Sequence, residues 1–249
     1  MDKLFINHLS KQLNTDIKNY HPISGGDISS AFLLETSSEF FFIKIKRNLN
    51  TFDMFQKEKN GLEAIASIGT IKTPQVIMVN QYKTYTYLIL EYIESKNASE
   101  KDMEILGHQL AQLHLRSQNN NVGFKEDNFI GTLSQSNKTH KHWIGFYIKE
   151  RLQPQLKLAK NLTLLNSNEI PSDETMYSKL KQYLSNCKPS LLHGDLWSGN
   201  YLIAKDGTPY IIDPAVYYGH SEIDIAMSKL FGGFSNTFYK AYQKLIPFN

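Results

Sequence analysis

Polar and apolar positions alternate clearly over Phe40–Lys46. Phe40, Phe42, Lys44 and Lys46 share one face, and Phe41, Ile43 and Ile45 share the other. This period of two predicts a strand, preceded by a second over Ala31–Thr36 across the polar turn Ser37-Ser38-Glu39. The period then lengthens. Over Met54–Ile68, the residues Phe55, Glu58, Leu62 and Ile65 fall on one helical stripe. Strands are expected again near Gln75–Val79 and Tyr85–Glu91. After Ile93 helical spacing takes over. Ser99-Glu100-Lys101-Asp102 has the form of a capping box, and Leu106, Leu110 and Leu113 follow it. Helices are predicted over Trp143–Ala159, Thr175–Leu184 and Ser221–Leu230, and a hairpin over Asn200–Asp213 around Asp206-Gly207. The pattern predicts an α+β chain of two lobes. Residues 1–93 form a small sheet lobe with one main helix; residues 94–249 form a larger, mostly helical lobe.

Two charges interrupt this pattern. Lys44, between Ile43 and Ile45, lies on an otherwise aromatic face, where a charge is costly unless it meets an anion. Glu58 is a carboxylate on a buried stripe and is the natural partner of Lys44; the phosphates of ATP would supply a second anion. Lys46 is nearer the strand end, and Glu63 falls off the stripe. Gly25 and Gly26, in Ser24-Gly25-Gly26-Asp27, would cover phosphates as a glycine loop, although Gly-Gly marks many turns. The chain lacks the Walker pattern, so a P-loop is excluded. Glu91, Tyr92 and Ile93 end a strand where the lobes should meet. Their backbone groups suit adenine, and an ordinary strand end accounts for them almost as well.

The densest chemistry is His193-Gly194-Asp195-Leu196-Trp197-Ser198-Gly199-Asn200, with Ile211-Ile212-Asp213 beyond it. H-x-D-x-x-x-x-N followed by a strand-borne Asp is how protein-kinase-like enzymes position a base and a magnesium ion. If the Asp206-Gly207 turn is a two-residue reversal, Asn200 and Asp213 face each other at about 5 Å between β-carbons. An amide oxygen and a carboxylate so placed suit Mg2+, which takes few protein oxygens and completes its shell with water and phosphate. Asp195, just ahead of the first arm, would accept the proton of an attacking hydroxyl. His193 is expected to brace this loop. Asp224, in the capping-box form Ser221-Glu222-Ile223-Asp224, caps a helix, ties down the catalytic loop, or does both. Trp197 and His220 border the expected acceptor side, with Trp197 either stacked on a sugar or packed in the core. His114 ends an apolar stripe and reads as a core histidine.

Composition narrows the setting. The 249 residues are 41% hydrophobic and 20% charged, with a formal net charge of +3. The basic residues are dispersed, which argues against a nucleic-acid or membrane-surface footprint. The single cysteine, Cys187, permits no intramolecular disulfide and fits a reducing compartment. No signal-peptide core or membrane-length apolar run is present, so a cytoplasmic protein is expected.

The motifs together resemble the fructosamine kinase (ketosamine-3-kinase) family, near the aminoglycoside and choline phosphotransferases. The resemblance covers most of the chain. It rests on Phe-Phe-Ile-Lys at 41–44, E-x-x-G-L at 58–62, Leu90-Glu91-Tyr92, Asp127-Asn128-Phe129-Ile130-Gly131-Thr132, and Glu150-Arg151-Leu152 with Pro154-Gln155-Leu156. Its most specific parts are residues 193–200 and Ile212-Asp213-Pro214-Ala215-Val216-Tyr217-Tyr218-Gly219-His220. The resemblance implies a protein-kinase-like fold and ATP- and Mg2+-dependent phosphorylation of a ketosamine at its third carbon, a deglycation step. The ketosamine would be a small molecule or a glycated protein lysine. Asp195 is then the base, Asn200 and Asp213 hold magnesium, and Lys44 with Glu58 sets the phosphates. Rival readings are an aminoglycoside- or choline-type phosphotransferase and a nucleotide-binding pseudokinase. A protein kinase is disfavoured because no D-F-G or A-P-E follows Asp213. Some members carry a cysteine in the glycine loop that links dimers. Here Ser29 and Ser30 stand there, and a monomer without such a disulfide is expected. The chain also ends at Phe248-Asn249, before the last helices associated with the family, so a shortened acceptor side is expected.

Overall fold

A computed structural model of the chain describes residues 1–23, 29–184 and 187–248. The chain opens with helix α1 (Lys3–Leu13) and strands β1 (Ile17–Pro22), β2 (Ser30–Thr36) and β3 (Phe40–Lys46). Helix α2 (Phe52–Ile68) and strands β4 (Val76–Tyr82) and β5 (Tyr85–Glu91) follow. The five strands form an antiparallel sheet in the order β1-β2-β3-β5-β4. Alternation along β3 decides what each face packs against. Phe41, Ile43 and Ile45 bury against Phe5 and Leu9 of α1, together with Tyr87 and Ile89. Phe42 turns the other way, against Phe55 and Leu62 of α2 with Leu88 and Leu90. Both faces of β3 and β5 are therefore covered, and Lys44 is enclosed between sheet and α2.

Strand β6 (Ser95–Lys96) leaves this sheet and joins β10 (Tyr201–Ala204) and β11 (Pro209–Ile211). Helix α3 (Glu100–Arg116) starts at a reciprocal capping box: the Asp102 N–H donates to Ser99 Oγ (3.2 Å), and the Ser99 N–H donates to Asp102 Oδ2 (2.9 Å). Short strands β7 (Asn128–Ile130) and β8 (Leu133–Gln135) follow, then α4 (Trp143–Phe146), α5 (Gln153–Asn161) and α6 (Asp173–Leu184). Strands β9 (Ser190–Leu192) and β12 (Tyr217–Gly219) pair with each other, and α7 (Glu222–Lys229) and α8 (Asn236–Gln243) close the described chain. The second core joins Leu106, Leu110 and Leu113 of α3 to Leu191, Leu196, Ile211, Ile225, and Phe238 and Tyr242 of α8. Gly107 makes this crossing so close that a Cβ there would lie 2.2 Å from the Phe238 carbonyl oxygen.

Two expectations change in detail. The helix expected over Trp143–Ala159 is broken by a π-helical turn, Tyr147–Leu152, between α4 and α5. Pro154, two residues past this turn, has no N–H to continue the helical ladder, which fits the wider turn just before it. The strand expected over Gln75–Val79 runs later, Val76–Tyr82, with a register shift between Val76 and Met78. Among the described residues no helix is long and apolar enough to cross a membrane.

Candidate active site

A cavity of about 710 Å³ lies where the five-stranded sheet and α2 meet the 193–214 segment. Lys44, Glu58, Asp195, Trp197, Asn200 and Asp213 all line it. Leu90, Glu91, Tyr92 and Ile93 line its wall at the exit of β5. The Glu91 carboxylate accepts the Gln75 N–H (3.0 Å), which pins this exit to the segment before β4.

Lys44 projects from β3 towards α2, and its Nζ donates to Glu58 Oε1 at 2.7 Å and to Asp213 Oδ1. One ammonium thus faces two carboxylates. Burial works against the Lys44 charge, but Asp213 and Glu58 raise its pKa above the ordinary lysine value. Burial pushes the Glu58 carboxyl up to about 7; Lys44 opposes this, and the Asp213 charge adds to it. Asp213 feels the same burial, yet Lys44 holds its carboxyl below the ordinary range. Lys46 lies outside this cluster and meets Met54 Sδ at 3.8 Å. Glu63 is exposed beside Lys59.

The hairpin carrying the two oxygen donors differs from the sequence expectation in register. Tyr201 pairs with Ile211, Leu202 with Tyr210 and Ile203 with Pro209, and the Ile212 N–H donates to the Asn200 carbonyl (3.0 Å). Asn200 therefore faces Ile212, not Asp213. The reason is the turn. The Ala204 N–H donates to Thr208 O (2.9 Å) and the Gly207 N–H to Ala204 O (2.8 Å), with Gly207 at φ 91°. This is a three-residue loop with a left-handed glycine, and the extra residue slips the ladder by one. A slip normally sends a side chain to the opposite face. Asp213 escapes that outcome because it takes φ 55°, which breaks the strand pleat and leaves its carboxylate on the cavity. Aspartate is among the few non-glycine residues that adopt this conformation readily.

Asn200 donates through Nδ2 to Asp195 O (2.7 Å) and to Asp195 Oδ2 (3.2 Å), leaving its own Oδ1 as the acceptor. Burial raises the Asp195 pKa; His193 and Asn200 oppose this, and Asp213 and Asp224 add to it. The loop is held from beneath. His193 Nε2–H donates to Ile212 O (2.8 Å), and its Nδ1 accepts the Asp195 N–H (3.3 Å). Asp224 caps no backbone N–H of α7 with its side chain. Its fully buried carboxylate accepts the N–H of His193 (2.7 Å) and of Gly194 (2.9 Å), and His114 Nε2–H (3.2 Å). His114 in turn meets the Tyr242 hydroxyl at 2.7 Å. Gly194 takes φ 81°, and a Cβ there would lie 2.1 Å from Ala215 O, so the turn needs glycine.

Trp197 lies over Gly199, where a Cβ would come within 2.4 Å of the indole. Its other neighbour is Phe231, 5.8 Å away edge-on, 77% exposed and at φ 55°. The structure does not bring His220 to this cavity. His220 is buried 6.2 Å from the Trp143 ring, and its Nδ1 accepts the Glu222 N–H (3.2 Å). Burial lowers its pKa, as expected for a ring inside an apolar cluster. Gly25 and Gly26 lie outside the described residues. Sequence reasoning missed Lys57, which also lines the cavity, and its partner Glu126. Lys57 stands one residue before Glu58 on a helix end already rich in charge, and no local pattern sets it apart.

A family model for fructosamine kinase matches residues 1–249. A protein named probable ketoamine kinase from Synechocystis sp. is 36% identical over 233 residues, which cover 93% of this chain and 77% of that protein. The chloroplastic protein-ribulosamine 3-kinase of Arabidopsis thaliana is 37% identical over 237 residues, covering 94% and 72%. The crystal structure of a Haemophilus somnus protein provisionally assigned as a fructosamine-3-kinase superposes with a TM-score of 0.86 at 26% identity, covering 98% of this chain and 82% of that one. A spectinomycin phosphotransferase in complex with ADP and spectinomycin shares the fold, with a TM-score of 0.59 at 18% identity over 97% and 79%. The architecture is that of the protein-kinase-like phosphotransferases.

Proposed function

Because the chain belongs to the fructosamine kinase family, we propose that it transfers the γ-phosphoryl group of ATP to a hydroxyl of a ketosamine. The observation that carries this reading is the convergence of Lys44, Glu58, Asp195, Asn200 and Asp213 on one cavity. The shared-fold phosphotransferase crystallised with ADP supports the use of a nucleotide. The lobes divide at 93/94, where the β5 exit contributes Glu91, Tyr92 and Ile93 to the adenine side.

Phosphoryl transfer asks a protein chiefly for placement and charge. Lys44, held by Glu58, meets the phosphates. Asp195 accepts the proton of the acceptor hydroxyl as its oxygen bonds to phosphorus and ADP departs. A base with a raised pKa captures that proton more effectively. The donors fit magnesium: Asn200 Oδ1 is left as an acceptor, and the Asp213 side chain is 34% exposed on the same cavity. Bound there, Mg2+ would supply positive charge to the phosphates. Among the described residues no cluster of three or more His, Cys, Asp or Glu is set to hold a metal alone.

The 3-kinase name of the Arabidopsis relative points to the hydroxyl on the third carbon. Phosphate leaves more readily than hydroxide, so once a proton is lost from the first carbon the product expels inorganic phosphate from the third, and hydrolysis of the resulting imine by water frees the amine and a dicarbonyl. The role is therefore deglycation in a reducing cytoplasm, on free ketosamines or glycated lysines, with Trp197 stacking on the sugar. The test is incubation with ATP, magnesium and a panel of fructosamines and ribulosamines, read by mass. A gain of one phosphoryl group on a ketosamine, absent in Asp195→Asn, is expected. Phosphorylation of aminoglycosides or choline alone would overturn the assignment.

A further inference from the structure

The position of α2 decides where Glu58 holds Lys44. Apart from the Lys44–Glu58 pair itself and the Lys46 Nζ–Met54 Sδ contact (3.8 Å), its packing on the sheet is apolar, through Phe55 and Leu62, and such packing is non-directional. Further directional contacts come from the other side. Glu126 accepts Lys57 Nζ on Oε2 (2.7 Å) and Asn60 Nδ2 on Oε1 (2.8 Å), so both carboxylate oxygens grip one face of α2. The Lys57 and Glu126 side chains are only 20% and 22% exposed. A partly buried pair of this kind is screened less by salt than an exposed one. Lys57 has a second partner, Asp53 at 3.5 Å, but that carboxylate is 62% exposed and belongs to α2 itself, so it cannot anchor the helix.

Glu126 is itself anchored near the chemistry. Asn137 Nδ2 donates to Glu126 O (3.1 Å), and the Asn137 N–H donates to Asp127 Oδ1 (2.7 Å). Asn128 Nδ2 donates to Val216 O (2.8 Å), three residues past Asp213. On the same face of α2, Gly61 meets Pro214 so closely that a Cβ would lie 3.1 Å from Pro214 Cγ. Lys57, Asn60 and Gly61 are spaced i, i+3, i+4; Gly61 meets Pro214, next to Asp213, and Lys57 and Asn60 meet Glu126, two residues before the Asn128 that bonds Val216.

We propose that Glu126 is a positioning residue. By gripping Lys57 and Asn60 it fixes α2 against the 213–216 segment, so that Glu58, Lys44 and Asp213 are aligned before nucleotide arrives. The kinetic consequence rests on the function proposed above; the structural latch does not.

The test uses the full chain with Glu126→Gln, Glu58→Gln and the double variant. Glu126→Gln is expected to lower kcat/KM for ATP about tenfold, as small misplacements do, with the acceptor KM unchanged. In the Glu58→Gln background the same change should cost less than twofold, because Glu126 acts through Glu58. A purely structural role would lower kcat/KM equally in both backgrounds, and that result overturns the proposal. Amide exchange over 52–68 gives a readout that needs no substrate. Faster exchange in Glu126→Gln confined to α2 and its contact loop supports the latch, and unchanged exchange there removes it. If the wild-type chain phosphorylates no ketosamine, the functional reading fails and the exchange result alone decides the latch.

Discussion

Asp224→Asn is isosteric and removes one charge at full burial, which makes it a sensitive probe of the loop carrying Asp195. Three donors converge on this carboxylate: the N–H groups of His193 and Gly194, and His114 Nε2–H. An amide offers one oxygen and two donors. Whichever way it points, its NH2 faces a donor that has no water to turn to. Leaving one such donor unmet costs about 1–3 kcal/mol. For a chain of this size each kcal/mol lowers Tm by about 2–4 °C, so a fall of about 2–12 °C is expected. The Gly194 N–H also sits directly ahead of Asp195. A shift of that loop by about 1 Å would lower turnover about 100-fold, without a matching loss of ATP affinity. The pH dependence adds a second readout. Burial raises the Asp224 pKa, but its bond to His114 and the charges of His114 and His193 hold it below the ordinary carboxylate value. A depressed folded-state pKa stabilises the fold above the unfolded value, about 4, and the stability is lost as pH falls through that range. Asp224→Asn should therefore flatten the acid limb of the Tm–pH curve. Calorimetry from pH 3 to 8 with steady-state kinetics measures both effects. A variant that melts and turns over like the wild type would refute the account.

Other substitutions separate the remaining roles. Asp195→Asn should keep nucleotide affinity by calorimetry and lose at least about 100-fold in kcat; because the Asp195 pKa is raised, the wild-type kcat/KM should rise with pH through a limb above the usual aspartate value. Retained turnover in that variant would remove Asp195 as the base. Glu58→Gln should melt higher than wild type at pH 8 and equally below about pH 4.5, because a folded pKa near 7 makes ionising Glu58 oppose folding above its free value. The same variant should lose activity, and an unchanged or lower Tm at pH 8 would contradict the buried-charge argument. Cys187, whose thiol burial pushes up to about 12, should alkylate slowly at pH 8 in the native protein and quickly once unfolded. Equal rates would place it at the surface.

Much of the site was legible in local patterns. Alternation over 40–46 put Lys44 on the face of Phe42, and the helical stripe put Glu58 beneath Leu62; the two side chains meet at 2.7 Å. Both inferences rest on backbone period alone, which neighbouring residues set between themselves. The hairpin was legible only to within one residue. Asp-Gly signals a reversal but not its length, and a three-residue loop moved Ile212 opposite Asn200. His220 shows the same limit: its place in a specific motif did not reveal that it packs near Trp143, away from the cavity.

What the sequence by itself determined was which side chains share a face and which charges required a partner. Tertiary structure decided who the partners are. It turned Asp213 back into the cavity through a left-handed backbone, gave Asp224 to two loop amides, His114 and through it Tyr242, and brought Glu126 to α2 across 66 positions from Asn60 and 69 from Lys57. Periodicity follows from the dihedral angles of adjacent residues. Register and long-range pairing follow from loop closure and packing, which adjacent residues do not encode.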